Sequence, residues 1–425
     1  MAQNQLERAL GWFSLGLGLA QVAAPKRLGR LVGAGGHDNL MRVLGLREIS
    51  AGMGILSGRN RAPWMWSRVG GDLIDLSLLA AALKSSQTRR GFWETALNRR
   101  ASTRQRLVAA TGAVAAVTAL DLWSARRLQR TGESESLLQE PETLRLPVES
   151  ATQTDFARGS VYFVGTATVI LRYAGFTILT DPNFLHQGDH VHLGYGMTSE
   201  RLTEPALDIT ELPPVDFVVL SHYHGDHFDR IAEARLDKRL PIITTNHAAA
   251  ALRAKGFTAA RGLETWETLT VTKGAARVRL TSLPGKHGPG AINFLLPPVM
   301  GSMLEFDAPS GRIPLRLYIT GDTLLHDELR EVPRRFPDID LALLHLGGTR
   351  ILGVMLTMDA KQGVEMIRLA NPRKAVPIHY NDYTVFKSPL ADFVRAVEEA
   401  GLSDRVVYLN HGEAYDFEIP ATRWQ

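Results

Sequence analysis

One short stretch limits what this chain can fold into more than any other. The apolar run Val215–Leu220 leads without a break into Ser221-His222-Tyr223-His224-Gly225-Asp226-His227. A continuous apolar run of this kind reads as a strand buried on both faces, and a rigid strand end is where a loop is aimed at chemistry. His222 and His224 are two apart, so in extended chain both imidazoles point the same way. Gly225 lets the chain turn sharply, and Asp226 and His227 are then expected to open the next helix and face a second centre. A lone buried histidine is usually a core residue. Three of them with a carboxylate in so short a span point to metal.

The remaining composition narrows the metal chemistry. The 425 residues contain no cysteine, which excludes disulfides, thiolate sites and a cysteine nucleophile. Imidazole and carboxylate alone must hold any transition metal. A tetrahedral zinc with an open position needs three protein ligands at about 2.0–2.2 Å, so two metals need more donors than the cluster holds. Later apolar runs supply them. The run Arg277–Leu283 leads to Pro284-Gly285-Lys286-His287, Leu315–Thr320 to Gly321-Asp322-Thr323, Leu341–Leu344 to His345, and Ala375–Ile378 to His379. Each donor follows a strand-like run, so all can meet at one edge of a layered sheet. Further strands are expected at Val161–Val164, Thr168–Tyr173 and Phe176–Thr180, with Ala174-Gly175 as a tight hairpin turn.

The first third is different in kind. Residues 1–130 hold nineteen Lys and Arg against seven Asp and Glu, a balance of +12, and the remainder carries −8. Only His37 of the thirteen histidines lies there. Four apolar stretches, residues 10–24, 40–56, 63–83 and 107–123, are rich in Gly, Ala, Leu and Trp, with basic residues at the joints. Small residues of that kind suit close helix packing in a bilayer, and polar cover is sparse for soluble helices. The expectation is an all-α, transmembrane four-helix module in which Arg47, Glu48, Asp72 and Asp75 pair inside the bundle, since lone charges in lipid are costly. No small-residue cleavage site follows the first stretch, so no cleavable signal peptide is expected. Four spans put both ends on one side. The Arg126–Arg130 tail favours the cytoplasm for that side and the seven Lys and Arg from Lys84 to Arg106 oppose it; the cytoplasmic side is preferred. Residues 131–155, rich in Glu, Ser, Thr and Pro, read as a linker.

The series Thr180-Asp181-Pro182, His222-x-His224-x-Asp226-His227, His287, Gly321-Asp322-Thr323 and His379 resembles the metallo-β-lactamase superfamily, over residues 156–425. Gly165-Thr166-Ala167-Thr168, Ile178-Leu179-Thr180-Asp181-Pro182 and Thr245-Asn246-His247-Ala248 look most like its branch of ascorbate-6-phosphate lactonases and N-acyl-phosphatidylethanolamine phospholipase D. The resemblance implies an αββα sandwich of α/β class with two zinc ions at one edge, another divalent ion such as manganese being an alternative. His222, His224 and His287 would bind the first metal. Asp226, His227 and His379 would bind the second, with Asp322 bridging both. The absence of cysteine disfavours β-lactam hydrolysis, and a histidine at 224, where di-iron relatives carry glutamate, disfavours redox chemistry. Thr357 stands where the phospholipase carries a histidine.

The implied reaction is hydrolysis of an ester, lactone or phosphodiester on a small-molecule or lipid substrate. Two ions about 3.5–4 Å apart would share a water and make it a nucleophile near neutral pH. Asp226 and Asp322 are assigned to that machinery, and His345 is the candidate to protonate the leaving group. Asp181 and His247 are expected to orient ligands through hydrogen bonds. Tyr380 and Tyr383 could contact substrate or simply pack beside His379. His326 is a rim or surface residue, and His186, His190 and His192 read as a solvated Gly-rich loop. A nuclease of the same superfamily is an alternative, opposed by the acidic balance; a non-catalytic membrane sensor is another, opposed by the complete ligand set.

Overall fold

The computed structural model describes residues 5–32, 38–56, 64–72, 75, 108–124, 126, 142–147, 154–194, 197–289, 296–351 and 353–423. The chain divides into two compact units, Met1–Glu140 and Pro141–Gln425.

The first unit is helical, with helices Gln5–Ala23, Pro25–Val32 and Asp38–Leu56 and helical segments at 64–72 and 108–124. Gln5–Ala23 and Asp38–Leu56 pack backbone to backbone: a Cβ on Gly45 would lie 2.7 Å from the Gly18 carbonyl oxygen, so only glycine admits the approach. The expected pairing of charges is present for Arg47, Glu48 and Asp75, while Asp72 is buried and joins no ion pair among the described residues. Arg47 Nη2 lies 2.7 Å from Glu48 and 3.0 Å from Asp75. Arg68, fully buried, lies 3.3 Å from Glu48 and 2.8 Å from Asp121.

The expected spans are not found: among the described residues no helix is long and apolar enough to cross a membrane. The two 19-residue helices carry charge, Glu7 and Arg8 in one, Asp38, Arg42, Arg47 and Glu48 in the other. Most of the third stretch, and the basic run from Lys84 to Arg106 on which the orientation rests, lie outside the described residues. So does much of the linker. Its part Glu142–Leu146, however, is a strand that pairs in parallel with Thr268–Lys273, Leu144 and Leu146 packing against the sheet core.

Two seven-stranded sheets build the second unit. One runs in the order Glu142–Leu146, Thr268–Lys273, Ala276–Pro284, Met300–Asp307, Leu315–Ile319, Leu341–His345, Lys374–Ile378. The other runs Ala414–Glu418, Arg158–Gly165, Thr168–Tyr173, Phe176–Thr180, Phe217–Val219, Ile242–Thr245, Ala260–Leu263. Beyond the parallel edge pair Glu142–Leu146 and Thr268–Lys273, the first runs antiparallel and then parallel, and the second likewise begins antiparallel and finishes in parallel strands. The main core lies between the sheets, where Val161, Val169 and Leu171 meet Leu269, Val271 and Val278. A second apolar layer covers the first sheet with helices Ala360–Ala370 and Leu390–Glu399, and a third covers the other with Arg230–Arg235 and Asn246–Ala254. The layering is helix, sheet, sheet, helix. Ala174 and Gly175, at φ 50° and 81°, make the expected two-residue turn between Tyr173 and Phe176. Because neighbouring strands run parallel, their carboxyl ends share an edge, the place where α/β folds bind ligands.

Candidate metal centre

Every donor-bearing strand ends at that edge. Phe176–Thr180 presents Asp181, Phe217–Val219 leads to His222, Ala276–Pro284 to His287, Leu315–Ile319 to Asp322, and Lys374–Ile378 to His379. Leu341–His345 holds His345 as its last residue. Asp226 and His227 lie in a turn, not in the following helix, which starts at Arg230 under the cap of Asp229. Gly225 opens that turn, as expected, and also admits a close approach. A Cβ there would lie 2.3 Å from Val191 Cγ2, in the hairpin His190–Gly194/Met197–Glu200 that packs on the loop.

The side chains gather in two groups. His222, His224 and His287 form one; Asp226, His227, Asp322 and His379 form the other, with ligand atoms within each lying no more than 4.8 Å apart. His222 Nε2 and His224 Nδ1 are 2.9 Å apart. Asp322 Oδ2 is 3.2 Å from His227 Nε2 and 4.0 Å from His222 Nε2, so it faces both groups. Asp226 Oδ2 lies 3.5 Å from His379 Nε2.

The donor set fits a divalent metal. Asp226 Oδ1, Asp322 Oδ1, His227 Nε2, His287 Nδ1 and His379 Nε2 are buried without a hydrogen-bond partner, an arrangement costly to leave unmatched. The other nitrogens are engaged. His227 Nδ1 sits 3.3 Å from Asp181 Oδ2, and His379 Nδ1 donates to the Leu346 carbonyl at 3.2 Å. Such outer partners fix the ring that ligates. Burial holds His222 well below the usual imidazole range and His287 down to about 4, leaving the neutral, ligating form. Burial opposes charge on His227 and His379 too. There the carboxylates of Asp322 and Asp226, joined by Asp181 for His227, outweigh it and hold both rings above the ordinary range. Negative field strong enough to keep protons there also favours a cation.

Several expectations need correction. His345 is fully buried, with Nε2 3.2 Å from Asp181 Oδ2 and Nδ1 3.3 Å from Thr320 Oγ1. It stacks on His227 at 5.9 Å. Both ring nitrogens face protein groups, so it braces Asp181 and has no reach to a leaving group. His247 is exposed at the start of helix Asn246–Ala254, near enough for its charge to be felt at His224 but orienting no ligand by hydrogen bond. Tyr380 donates to the Leu409 carbonyl at 3.0 Å and packs in the core. Asp181 stands where expected, accepting also from Ser221 N at 2.7 Å. His186, His190 and His192 are exposed, the last two on a hairpin strand rather than a loop. His326 stands half-buried at the start of a short 3₁₀ turn without capping it by its side chain. Thr357 is buried, donating to the Leu346 carbonyl at 3.2 Å and accepting from Thr349 N at 2.8 Å. Sequence reasoning missed Arg201, Asn183 and Asp382, which lie buried beside the centre.

Residues 177–380 match the family model described as Beta-lactamase superfamily domain. The UPF0173 protein YddR of Bacillus subtilis is 27% identical over 266 residues, covering 60% of this chain and 98% of its own. A UPF0173 metal-dependent hydrolase of Archaeoglobus fulgidus is 26% identical over 210 residues, 48% of this chain and 82% of that one. Among solved structures, the isothiocyanate hydrolase from Delia radicum gut bacteria superposes with a TM-score of 0.52 at 21% identity, over 61% of this chain and 99% of that one. A possible metal-dependent hydrolase from Veillonella parvula gives 0.52 at 21%, over 60% and 98%. These likenesses establish the fold of the second unit. With the family match over residues 177–380 and the two groups of buried donors, the second unit is similar to the metal-dependent hydrolases of the beta-lactamase superfamily.

Proposed function

We propose that the chain is a membrane-associated dinuclear zinc hydrolase that cleaves an ester, lactone or phosphodiester bond in a small-molecule or lipid substrate. The observation that carries the hydrolytic half is the set of five unpartnered buried donor atoms shared between the two groups. Histidine and carboxylate donors without thiolate suit zinc. Two bound ions supply activated water and positive charge for a developing oxyanion. The chain's own part is to hold the donors apart at fixed spacing. Asp322 reaches both groups, Asp181 fixes His227 from behind, and His345 fixes Asp181. Elemental analysis of purified chain is expected to give close to two zinc ions, with turnover on a panel of simple esters, lactones and phosphodiesters that stops on chelation. Full activity in a metal-free preparation would sink the reading.

The membrane half rests on the first unit. Twelve of the fourteen large apolar side chains exposed among the described residues lie there, including Trp12 and Val43 at 63% and Leu19 at 58%. A unit with that much bare apolar surface and a balance of +12 over residues 1–130 suits an anionic lipid surface. Flotation of the full chain with vesicles of anionic lipid tests this. A chain that stays at the bottom of the gradient without detergent removes the membrane from the proposal. Placement of the hydrolase on the cytoplasmic side is part of the same proposal, and protease protection in sealed vesicles checks it.

A further inference from the structure

Arg201 is fully buried in the second unit. A buried guanidinium needs its charge and donors matched; Nη2 has Asp382 nearby but no hydrogen-bond partner, and the contacts of Nε and Nη1 lead to both loops that carry the second group of donors. Nε donates to the Thr203 carbonyl at 3.0 Å, and Nη1 donates to Asn183 Oδ1. Asn183 Nδ2 in turn donates to the Gly225 carbonyl at 3.0 Å, directly before Asp226 and His227. Tyr383 donates to the same Asn183 oxygen at 3.1 Å, its ring centroid 5.4 Å from the Arg201 guanidinium.

The other arm is Asp382, also fully buried, with Oδ1 4.0 Å from Arg201 Nη2. Asp382 Oδ2 accepts from Thr166 N at 2.9 Å, and its Oδ1 accepts from Thr203 Oγ1. His411 Nε2 lies 3.2 Å from Oδ1. The Thr166 carbonyl accepts from His379 N at 2.5 Å. Thr166, His379 and Asn381 have φ of 52°, 60° and 60°. Side chains other than glycine hold such angles only when their surroundings impose them. His379 is therefore kept in a strained conformation by a hydrogen-bonded chain that starts at Asp382.

The first group is anchored otherwise. Ser221 Oγ meets His222 Nδ1 at 3.0 Å and, at the longer 3.3 Å, His227 Nδ1, and the loop of His287 is pinned by Lys286 N donating to Thr323 Oγ1 at 2.9 Å. We propose that Arg201 and Asp382 form a clamp that positions Asp226, His227 and His379, setting affinity for the second metal while leaving the first nearly untouched. This rests on the two-metal reading above, and it makes both of them positioning residues.

The test is stepwise titration of metal-free full chain with Zn²⁺ and Co²⁺, following competition with a chromophoric chelator and the cobalt visible bands. Wild type is expected to take two ions. Arg201→Met and Asp382→Asn should bind the first with unchanged affinity and the second about tenfold to hundredfold more weakly, the usual effect of losing an outer partner. The cobalt bands of the second site should be altered. Arg201→Lys restores the charge without the planar fork and should recover part of the loss. Thermal melting of each metal-free variant guards against general unfolding. Two unchanged steps in both Arg201→Met and Asp382→Asn overturn the clamp, and so does equal weakening of both steps. A wild-type chain that never takes a second ion overturns the two-metal reading, and the clamp with it.

Discussion

The two units answer one physical problem, buried carboxylate charge, in opposite ways. In the first, Glu48, Asp75 and Asp121 are met by the guanidiniums of Arg47 and Arg68. In the second, Asp226 and Asp322 are met by His227 and His379. A guanidinium keeps its charge at all working pH and has no lone pair to give. An imidazole can shed its proton and become a ligand. The arginines thus cannot turn into ligands, although Asp72 Oδ2, Asp75 Oδ1 and Asp121 Oδ1 beside them have no hydrogen-bond partner, while the histidine-matched cluster can exchange protons for a metal. The surfaces differ as well: the first unit leaves Trp12, Phe13 and Trp123 at least half exposed, and in the second only Leu202 and Tyr408 are exposed among the large apolar side chains of the described residues.

The largest effect should come from the shared carboxylate. Asp322→Ala is expected to lower turnover by about a thousandfold or more, on the order of 4 kcal/mol of barrier, with the second unit still folded by circular dichroism. Turnover near wild type would remove its role between the two groups. Next is Arg68→Met, which strands the carboxylate of Asp121 in the first unit and leaves Glu48 with Arg47 and Ser14. Breaking a buried pair of this kind costs about 3–5 kcal/mol, read by denaturant unfolding of the first unit while metal content stays at two. A loss below about 1 kcal/mol would mean that this carboxylate accepts protons or ions as the second unit's do, and the contrast would fail.

Gly225→Ala should cost about 1–3 kcal/mol through overpacking against Val191, with loss of metal affinity. Val191→Ala in the same chain should restore much of it. An undisturbed Gly225→Ala chain would show that the hairpin yields. The smallest effect is a matter of pH. His222, His224 and His287 sit below the ordinary imidazole value, burial being the leading cause, and His287 lies at about 4. The unfolded chain binds protons at these positions more tightly, so metal-free stability should fall as pH drops from about 6.5 toward 4. His227 and His379 are raised, so their contribution is present below about 6.5 and lost as pH climbs through their higher values. The metal-free melting temperature should therefore peak near pH 6.5, and zinc should remove the alkaline decline. A flat profile without metal would contradict the opposed shifts.

Much of the second unit was legible because its strands are apolar runs that stop at donors. Thr168–Tyr173, Phe176–Thr180 and the strand leading to His379 needed no knowledge of partners. What was illegible depends on contacts far along the chain. Glu142–Leu146 has too few apolar residues to stand out, and its partner strand begins only at Thr268. Arg201 and Asp382 are common residue types whose importance exists only once Thr166, Asn183 and Tyr383 surround them. His345 and His247 show the same limit from the other side. A histidine beside a strand end looks the same in sequence whether it is sealed behind the ligands or standing in water. The apolar stretches of the first unit differ again: the two 19-residue helices have the length for a span, but the charges interspersed in them keep them from being apolar enough.

Among the seven side chains of the two groups, only His224 reaches partway to solvent; the other six are buried. An ion entering from the side of His224 would meet that ring before Asp226 and His379, and one leaving would retrace the route. Loading and stripping would then be sequential, the outer ion exchanging quickly and the inner one waiting on it. Brief chelation would leave a half-loaded chain whose remaining ion lies at the far end.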